Sequence, residues 1–93
     1  MLTIEHASVK TPEFDDFFRR QFERHIVKHF NLRPEYIEAR LGVSSSGIEN
    51  FLSLSYHYRK NHHHVNSHGA NVFKSGKKLI TELEKIIRKN KKK

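Results

Sequence analysis

The chain of 93 residues contains no cysteine and no tryptophan, and only two prolines and four glycines. Without cysteine it can form neither disulfide bonds nor thiolate metal sites, which is compatible with a reducing cytosol. No apolar run approaches the roughly 20 residues that a helix needs to cross a bilayer. The first residues also lack the charged and then apolar pattern of a signal peptide. These absences predict a cytoplasmic protein that has no membrane partner.

Positive charge is the most abundant feature that remains. The formal net charge is +8, and the sequence pI is near 10.0. Small basic domains are attracted to polyanions, and nucleic acid is the first such partner to consider. The alternative is that a lysine-rich surface only keeps the protein soluble. At this length a single domain with a thin core is predicted over residues 1–93.

Residues 12–30 are predicted to form a long N-terminal core helix, preceded by an arm over residues 1–11. Thr11 is a good N-cap, and Pro12 is favoured at the first helical position. Asn31 can end the helix, because Asn tolerates the left-handed conformation. Apolar side chains recur at spacings of three and four, as on the buried face of a helix. They are Phe14, Phe17, Phe18, Phe22, Ile26 and Phe30.

A second long helix is predicted over residues 74–90, followed by a basic tail at residues 91–93. Its aliphatic side chains also recur at spacings of three and four. Such a stripe either completes the core or pairs with its copy in a homodimer. The residues predicted to mediate dimerisation are Leu79, Leu83, Ile86 and Ile87.

Between these helices, Pro34 to Leu52 predicts two shorter helices, over residues 34–41 and 45–56, joined by a tight turn. Gly42 is predicted to take a positive φ in this turn, which glycine does without a Cβ penalty. Ser44 is then a natural N-cap for the next helix. Residues 57–72 lose the helical period and are predicted to form either a long His-rich loop or a small wing.

The turn Leu41-Gly42-Val43-Ser44, with Ile48 four residues beyond the serine, resembles the helix-turn-helix signature of bacterial, phage and plasmid regulators. The match covers about residues 32–52, and the polar stretch that follows is more similar to excisionase-like and other winged modules than to lambda-repressor-like ones. The resemblance implies a mainly all-α helix-turn-helix domain. It also implies a sequence-specific DNA-binding transcriptional regulator, acting as a small homodimer on double-stranded DNA in the nucleoid-associated cytoplasm.

Under this interpretation the second short helix lies in the major groove, and basic residues around it hold phosphates. Asn can bond adenine through two hydrogen bonds, and Glu can accept one from cytosine. The predicted base-reading residues are Ser45, Ser46, Glu49, Asn50 and Ser53. The predicted phosphate-binding residues are Arg33, Ser44, Arg59, Lys60, Lys74, Lys77 and Lys78.

The reading face is rich in serine and poor in arginine, and this keeps two alternatives open. The first is a protein–protein interaction module on the same scaffold, with a protein partner. The second is an architectural or recombination accessory DNA-binding protein, for which the shape of DNA matters more than its bases.

Histidines are concentrated in residues 57–72. His64 and His68 have the spacing that aligns two imidazoles on a helix, which makes them weak metal candidates. No carboxylate lies between Leu54 and Lys78, so we predict no metal site and no cofactor. A pH-sensitive basic patch is the other interpretation, because histidine changes charge near neutral pH. No nucleophile, base and orienting group are recognisable together, so the protein is predicted not to be an enzyme.

Overall fold

A computed structural model of the protein describes residues 2–7 and 12–91. The described part has four strands and two α-helices in the order βαβββα: β1 (Leu2–His6), α1 (Pro12–Phe22), β2 (Ile37–Ser46), β3 (Glu49–Tyr58), β4 (Asn61–Gly69) and α2 (Val72–Lys91). A π-helical turn (Glu23–Lys28) extends α1, and a 3-10 turn (Pro34–Tyr36) precedes β2. The fold is therefore α+β, and the predicted mainly all-α helix-turn-helix domain is wrong.

The strands form one sheet in the order β1-β2-β3-β4. β1 runs parallel to β2, and α1 makes the crossover that a parallel pair requires. The other two pairs are antiparallel hairpins. Leu41 lies near the centre of the sheet, opposite Ile4 on one side and Leu54 on the other.

The middle of the chain forms strands because its apolar residues alternate with polar ones. Ile37, Ala39 and Leu41 are buried, and the residues between them are exposed. Residues 52–58 repeat the pattern on β3. A period of two residues is that of a strand with one buried face, whereas a helix would need spacings of three and four. The predicted helices over residues 34–41 and 45–56 are therefore wrong.

The two hairpin turns differ from the turn that the sequence predicts. Gly42 lies within β2 and does not take a positive φ. That conformation belongs to Gly47 (φ 64), the first residue of the turn between β2 and β3, where hairpin geometry favours glycine. The next hairpin turns at Arg59 (φ 56) and Lys60. Residues 57–72, predicted as a loop or wing, instead contain the end of β3, the turn after it, all of β4 and the first residue of α2.

Both long helices occur where the periodicity places them. Phe14, Phe18, Phe22 and Ile26 are at most 4% exposed, and Asn31 ends this segment with φ 53, as predicted. The helix predicted over residues 74–90 is present as α2. Its N-cap is Asn71, whose side-chain oxygen accepts hydrogen bonds from the backbone N–H groups of Phe73 and Lys74 at 2.9 and 3.2 Å.

The ends of the chain are described only in part. Residues 2–6 of the predicted arm form β1. The predicted N-cap Thr11 lies outside the described residues, as do Lys92 and Lys93 of the predicted tail.

A single hydrophobic core fills the space between the helices and one face of the sheet. Leu79 and Leu83 are fully buried in it, Ile87 is 8% exposed, and Ile86 packs against it. The stripe on α2 thus completes the core of its own chain, so the assignment of these side chains to a dimer interface is wrong. A homodimer would need another surface. No helix of the described part is long and apolar enough to cross a membrane.

Candidate nucleic-acid interface

The predicted base-reading residues lie in two paired strands rather than on a recognition helix. Ser45 and Ser46 end β2, whereas Glu49, Asn50 and Ser53 belong to β3. The Asn50 amide donates hydrogen bonds to the carbonyl oxygens of Gly69 and Ala70, both at 3.2 Å. Asn50 therefore stabilises the end of β4. These side chains lie on strands, so they are not on a helix that could enter the major groove of DNA.

The predicted phosphate-binding residues separate into distant groups. Ser44 lies on β2, and Arg33, Arg59 and Lys60 lie at one end of the sheet. The remaining three, Lys74, Lys77 and Lys78, are exposed on α2. The structure therefore does not bring the predicted set into one site.

Tyr36 and Tyr58 contact the basic residues at the end of the sheet. The Arg59 guanidinium lies 4.7 Å from the centre of the Tyr36 ring and 5.8 Å from that of Tyr58, within the range of a cation–π interaction. The Arg33 backbone N–H donates a hydrogen bond to the Tyr58 hydroxyl at 3.2 Å. This bond, with a smaller contribution from Arg59, lowers the pKa of Tyr58. The Arg33 side chain pairs with Glu35 at 3.4 Å.

A groove lies between α2 and the segment formed by α1 and its π-helical turn, and both walls contribute basic side chains. It has a volume of about 320 Å³ and is lined by Gln21, Arg24, His25, Lys77, Ile80, Thr81 and Glu84. Within the described residues neither Arg24 nor Lys77 forms an ion pair, whereas Glu84 is bound to Arg88 at 2.5 Å. Since its one carboxylate is already paired, the groove has positive charge available for an anion.

We call the exposed cations around this groove the helical face: Arg20, Arg24, Lys74, Lys77 and Lys78. α2 contributes three of them and has only two acidic residues, Glu82 and Glu84. Both carboxylates are engaged by basic residues of the same helix. The helical face can therefore hold a polyanion through its phosphates.

The opposite side of the sheet, which no helix of the described residues covers, has a different composition. We call it the open sheet face: Phe51, Ser53, Ser55 and His57 on β3, His62, His64, Asn66 and His68 on β4, and the neighbouring Thr3, Glu5, Glu38 and Arg40 on β1 and β2. This surface was not predicted from the sequence, although the histidines at alternate positions of β4 indicate it.

The weak metal candidates do not form a site. His64 and His68 lie on a strand, where four residues span roughly 13 Å rather than one helical turn. His64 bonds to the Ser53 hydroxyl at 3.0 Å, and His68 bonds to the Glu49 carboxylate at 2.6 Å. Among the described residues no group of three or more His, Asp or Glu side chains is arranged to hold a metal ion.

Neither a protein-family model nor a curated protein sequence matches the chain. Solved structures do match its fold. A ribosomal subunit interface protein from Coxiella burnetii aligns with a TM-score of 0.81 and 12% identity, over 99% of this chain and 98% of that one. The N-terminal domain of Protein Y from Thermus thermophilus aligns with a TM-score of 0.76 and 12% identity, over 94% and 93% of the two chains.

At this identity the likeness shows the fold alone, and that fold overturns the helix-turn-helix resemblance. The interpretation as a DNA-binding transcriptional regulator, with double-stranded DNA as its partner, is therefore wrong. Its two alternatives, the interaction module on a helix-turn-helix scaffold and the accessory DNA-binding protein, are not supported either. What the chain shares with these structures is its fold, over 99% and 94% of its length.

Proposed function

We propose that this protein is a non-enzymatic, cytoplasmic, ribosome-associated protein that binds ribosomal RNA through its helical face. The observation that carries the proposal is the match of fold, over nearly the whole of both chains, to a ribosomal subunit interface protein. The net charge of +8 gives the attraction that an RNA partner requires.

The groove between the helices supplies the contact chemistry. Arg24 and Lys77 point into it from different segments, so a phosphate of an RNA backbone can be held from both sides. Lys74 and Lys78 extend the cationic surface along α2. Contacts of this kind fix the position of a backbone without reading its sequence. The lysines of α2 thus keep a phosphate-binding role, with RNA in place of DNA.

Co-sedimentation with ribosomes tests the proposal. The protein is mixed with whole ribosomes, separated subunits or protein-free ribosomal RNA over a series of salt concentrations. We expect binding that weakens steeply as salt rises, because each phosphate contact releases counterions. Protein that remains in the supernatant with all three targets, even at low salt, would overturn the proposal.

A matched pair of double variants tests the site. Arg24→Gln with Lys77→Gln removes two charges from the groove, and Arg33→Gln with Lys89→Gln removes the same two residue types from exposed positions outside the helical face. The groove variant should bind about tenfold more weakly or worse, with a salt slope reduced by roughly 1.4, the value for two single-strand phosphate contacts. The control should change binding much less. Equal losses in both would mean that net charge acts without the groove.

A further inference from the structure

The open sheet face remains unused when the helical face holds phosphates. Its strands are covered on one side by α1 and α2, and within residues 2–7 and 12–91 the other side faces solvent. We propose that this face binds unpaired bases of a single-stranded segment of RNA by stacking. The inference rests on the proposed function, because it takes RNA as the partner, and it adds which part of the RNA a second surface contacts.

Two pairs of stacked rings lie on this face. Phe51, which is 43% exposed, stacks with His68 at a centroid distance of 6.1 Å and an interplanar angle of 30°. His57 stacks with His62 at 5.5 Å and 29°. Phe51 and His57 are six residues apart on β3, which places the two pairs about 20 Å from each other. A base needs such a flat ring surface for stacking, and histidine and phenylalanine both provide one.

Hydrogen bonds hold in place both histidines of the second ring pair and His64, which lies between the two pairs. The Ser53 hydroxyl bonds to His64 at 3.0 Å, and the Ser55 hydroxyl bonds to His62 at 3.3 Å. His57 donates through Nε2 to the Arg59 carbonyl oxygen at 2.7 Å. Rings that are already ordered lose little side-chain entropy when a base stacks on them.

A shallow depression of about 450 Å³ adjoins the second ring pair. Thr3, Glu38, Arg40, His57 and His62 line it, and this volume is within the range of small-ligand sites. It offers a hydroxyl, a carboxylate and a guanidinium near the rings. These groups can bond the Watson–Crick edge of a base, which is accessible only when the base is unpaired.

The charge distribution favours bases over phosphates at the centre of the face and phosphates at its end. Glu5 and Arg40 lie 4.0 Å apart and compensate each other, so the centre has no strong positive field. Arg59 and Lys60 form the hairpin turn between His57 and His62 of the second ring pair and can hold the adjoining backbone. A double helix fits poorly, because it hides its bases from the rings.

A protein partner fits this face less well than RNA does. Protein interfaces concentrate their affinity in a few large apolar anchors. Phe51 is the large apolar side chain exposed within the described part of this face, and serine and histidine dominate its surroundings.

A single tryptophan can report stacking directly, since the natural chain has none. Phe51→Trp places an indole in the first ring pair, and Ile48→Trp places one at the tip of the neighbouring turn, where Ile48 is 86% exposed. Each variant is titrated with a single-stranded RNA of about 12 nucleotides, a length within the range of known single-strand sites. The same RNA annealed to its complement is the second probe. We expect the single strand to quench the Phe51→Trp fluorescence at least twice as strongly as that of Ile48→Trp. The duplex should quench neither strongly.

A second measurement uses the natural phenylalanine. His57→Ala with His62→Ala should weaken single-strand binding about tenfold, the range for loss of one base–aromatic stack, while duplex binding stays within twofold. Circular dichroism should show the same fold, because both side chains lie on the exposed face.

The outcomes separate this inference from the proposed function. No quenching at Phe51→Trp, or equal quenching by strand and duplex, overturns the base-stacking role even if the protein still sediments with ribosomes. If single-stranded RNA quenches the Phe51→Trp fluorescence but the protein does not sediment with ribosomes, the ribosomal proposal is overturned. The base-stacking role of the open sheet face would then still stand. A Phe51→Trp signal produced by an unrelated protein but not by RNA would assign the face to a protein partner instead.

Discussion

The helical face and the open sheet face carry their polarity in different ways. On the helical face, Arg24 and Lys77 place full charges at the ends of long side chains. On the open sheet face, short serine side chains bond to histidine rings, as in the Ser53–His64 pair at 3.0 Å. Long side chains bearing charge tolerate variation in the position of a phosphate, whereas fixed rings require a partner of matching shape. One molecule can thus grip a backbone with one face and select exposed bases with the other.

Both faces depend on the core that holds α1 and α2 together. The two helices approach each other closely at Gly76. A Cβ added to Gly76 would lie 3.0 Å from the edge of the Phe14 ring and 3.4 Å from Phe18. Gly76→Leu should therefore lower the free energy of unfolding by about 1–3 kcal/mol through overpacking. Urea unfolding followed by circular dichroism measures the change.

Lys89→Leu is the matched control, since Lys89 is exposed on the same helix and its replacement should shift stability by less than about 0.5 kcal/mol. If Gly76→Leu is as stable as the natural chain, the helices do not approach each other as closely as described. If stability falls but only the helical face loses RNA binding, the two faces are less dependent on a common core than we argue.

Tyr56 lies on the buried side of the sheet, opposite the open sheet face, and its ionisation reports how well that side excludes water. Burial, with a smaller contribution from Tyr58, raises the pKa of Tyr56 from 10.0 to about 12. The stabilisation linked to this group is complete below pH 10 and is lost as pH rises through about 12. Between about pH 8 and pH 11 it should decrease by about 1.4 kcal/mol.

Comparing Tyr56→Phe with the natural chain in urea at both pH values isolates this contribution, because all other titrating groups are shared. The natural chain should lose about 1.4 kcal/mol more than the variant on going to the higher pH. An equal loss in both chains would show that Tyr56 ionises as readily in the folded state as in the unfolded state.

The helical half of the fold was predictable from the sequence, because the phenylalanine stripe from Phe14 to Phe30 persists over about four turns. The sheet was not recognised, since the short run Leu41 to Ser44 was interpreted as the turn of a helix-turn-helix. The alternation from Ile37 to Val43 and from Leu52 to Tyr58 carries the opposite information. An alternation that persists over two segments of seven residues is therefore stronger evidence than a motif of four residues.

The sites were less predictable than the fold. Arg24 and Lys77 are distant in the chain and meet only because the π-helical turn packs against α2, so no local sequence pattern predicts the groove. His57 and His62 are close in sequence, but their stacking follows from the turn at Arg59 and Lys60. Lys77 was predicted to bind phosphates from its charge alone, which does not distinguish DNA from RNA.

The smallest effect that we expect concerns Ser67, which lies on the buried side of β4, opposite the open sheet face. Its neighbours on that strand, Asn66 and His68, lie on the open sheet face, whereas Ser67 points into the core and is 7% exposed. Within the described residues its hydroxyl has no hydrogen-bond partner, and an unpaired buried hydroxyl is costly. Ser67→Ala should raise the free energy of unfolding by about 1 kcal/mol. Ser46→Ala, which removes an exposed hydroxyl from the same sheet, should change it by less than about 0.5 kcal/mol. A loss of stability in Ser67→Ala would mean that the hydroxyl is satisfied in solution, and the division of β4 into a polar and an apolar side would be less sharp than its alternation indicates.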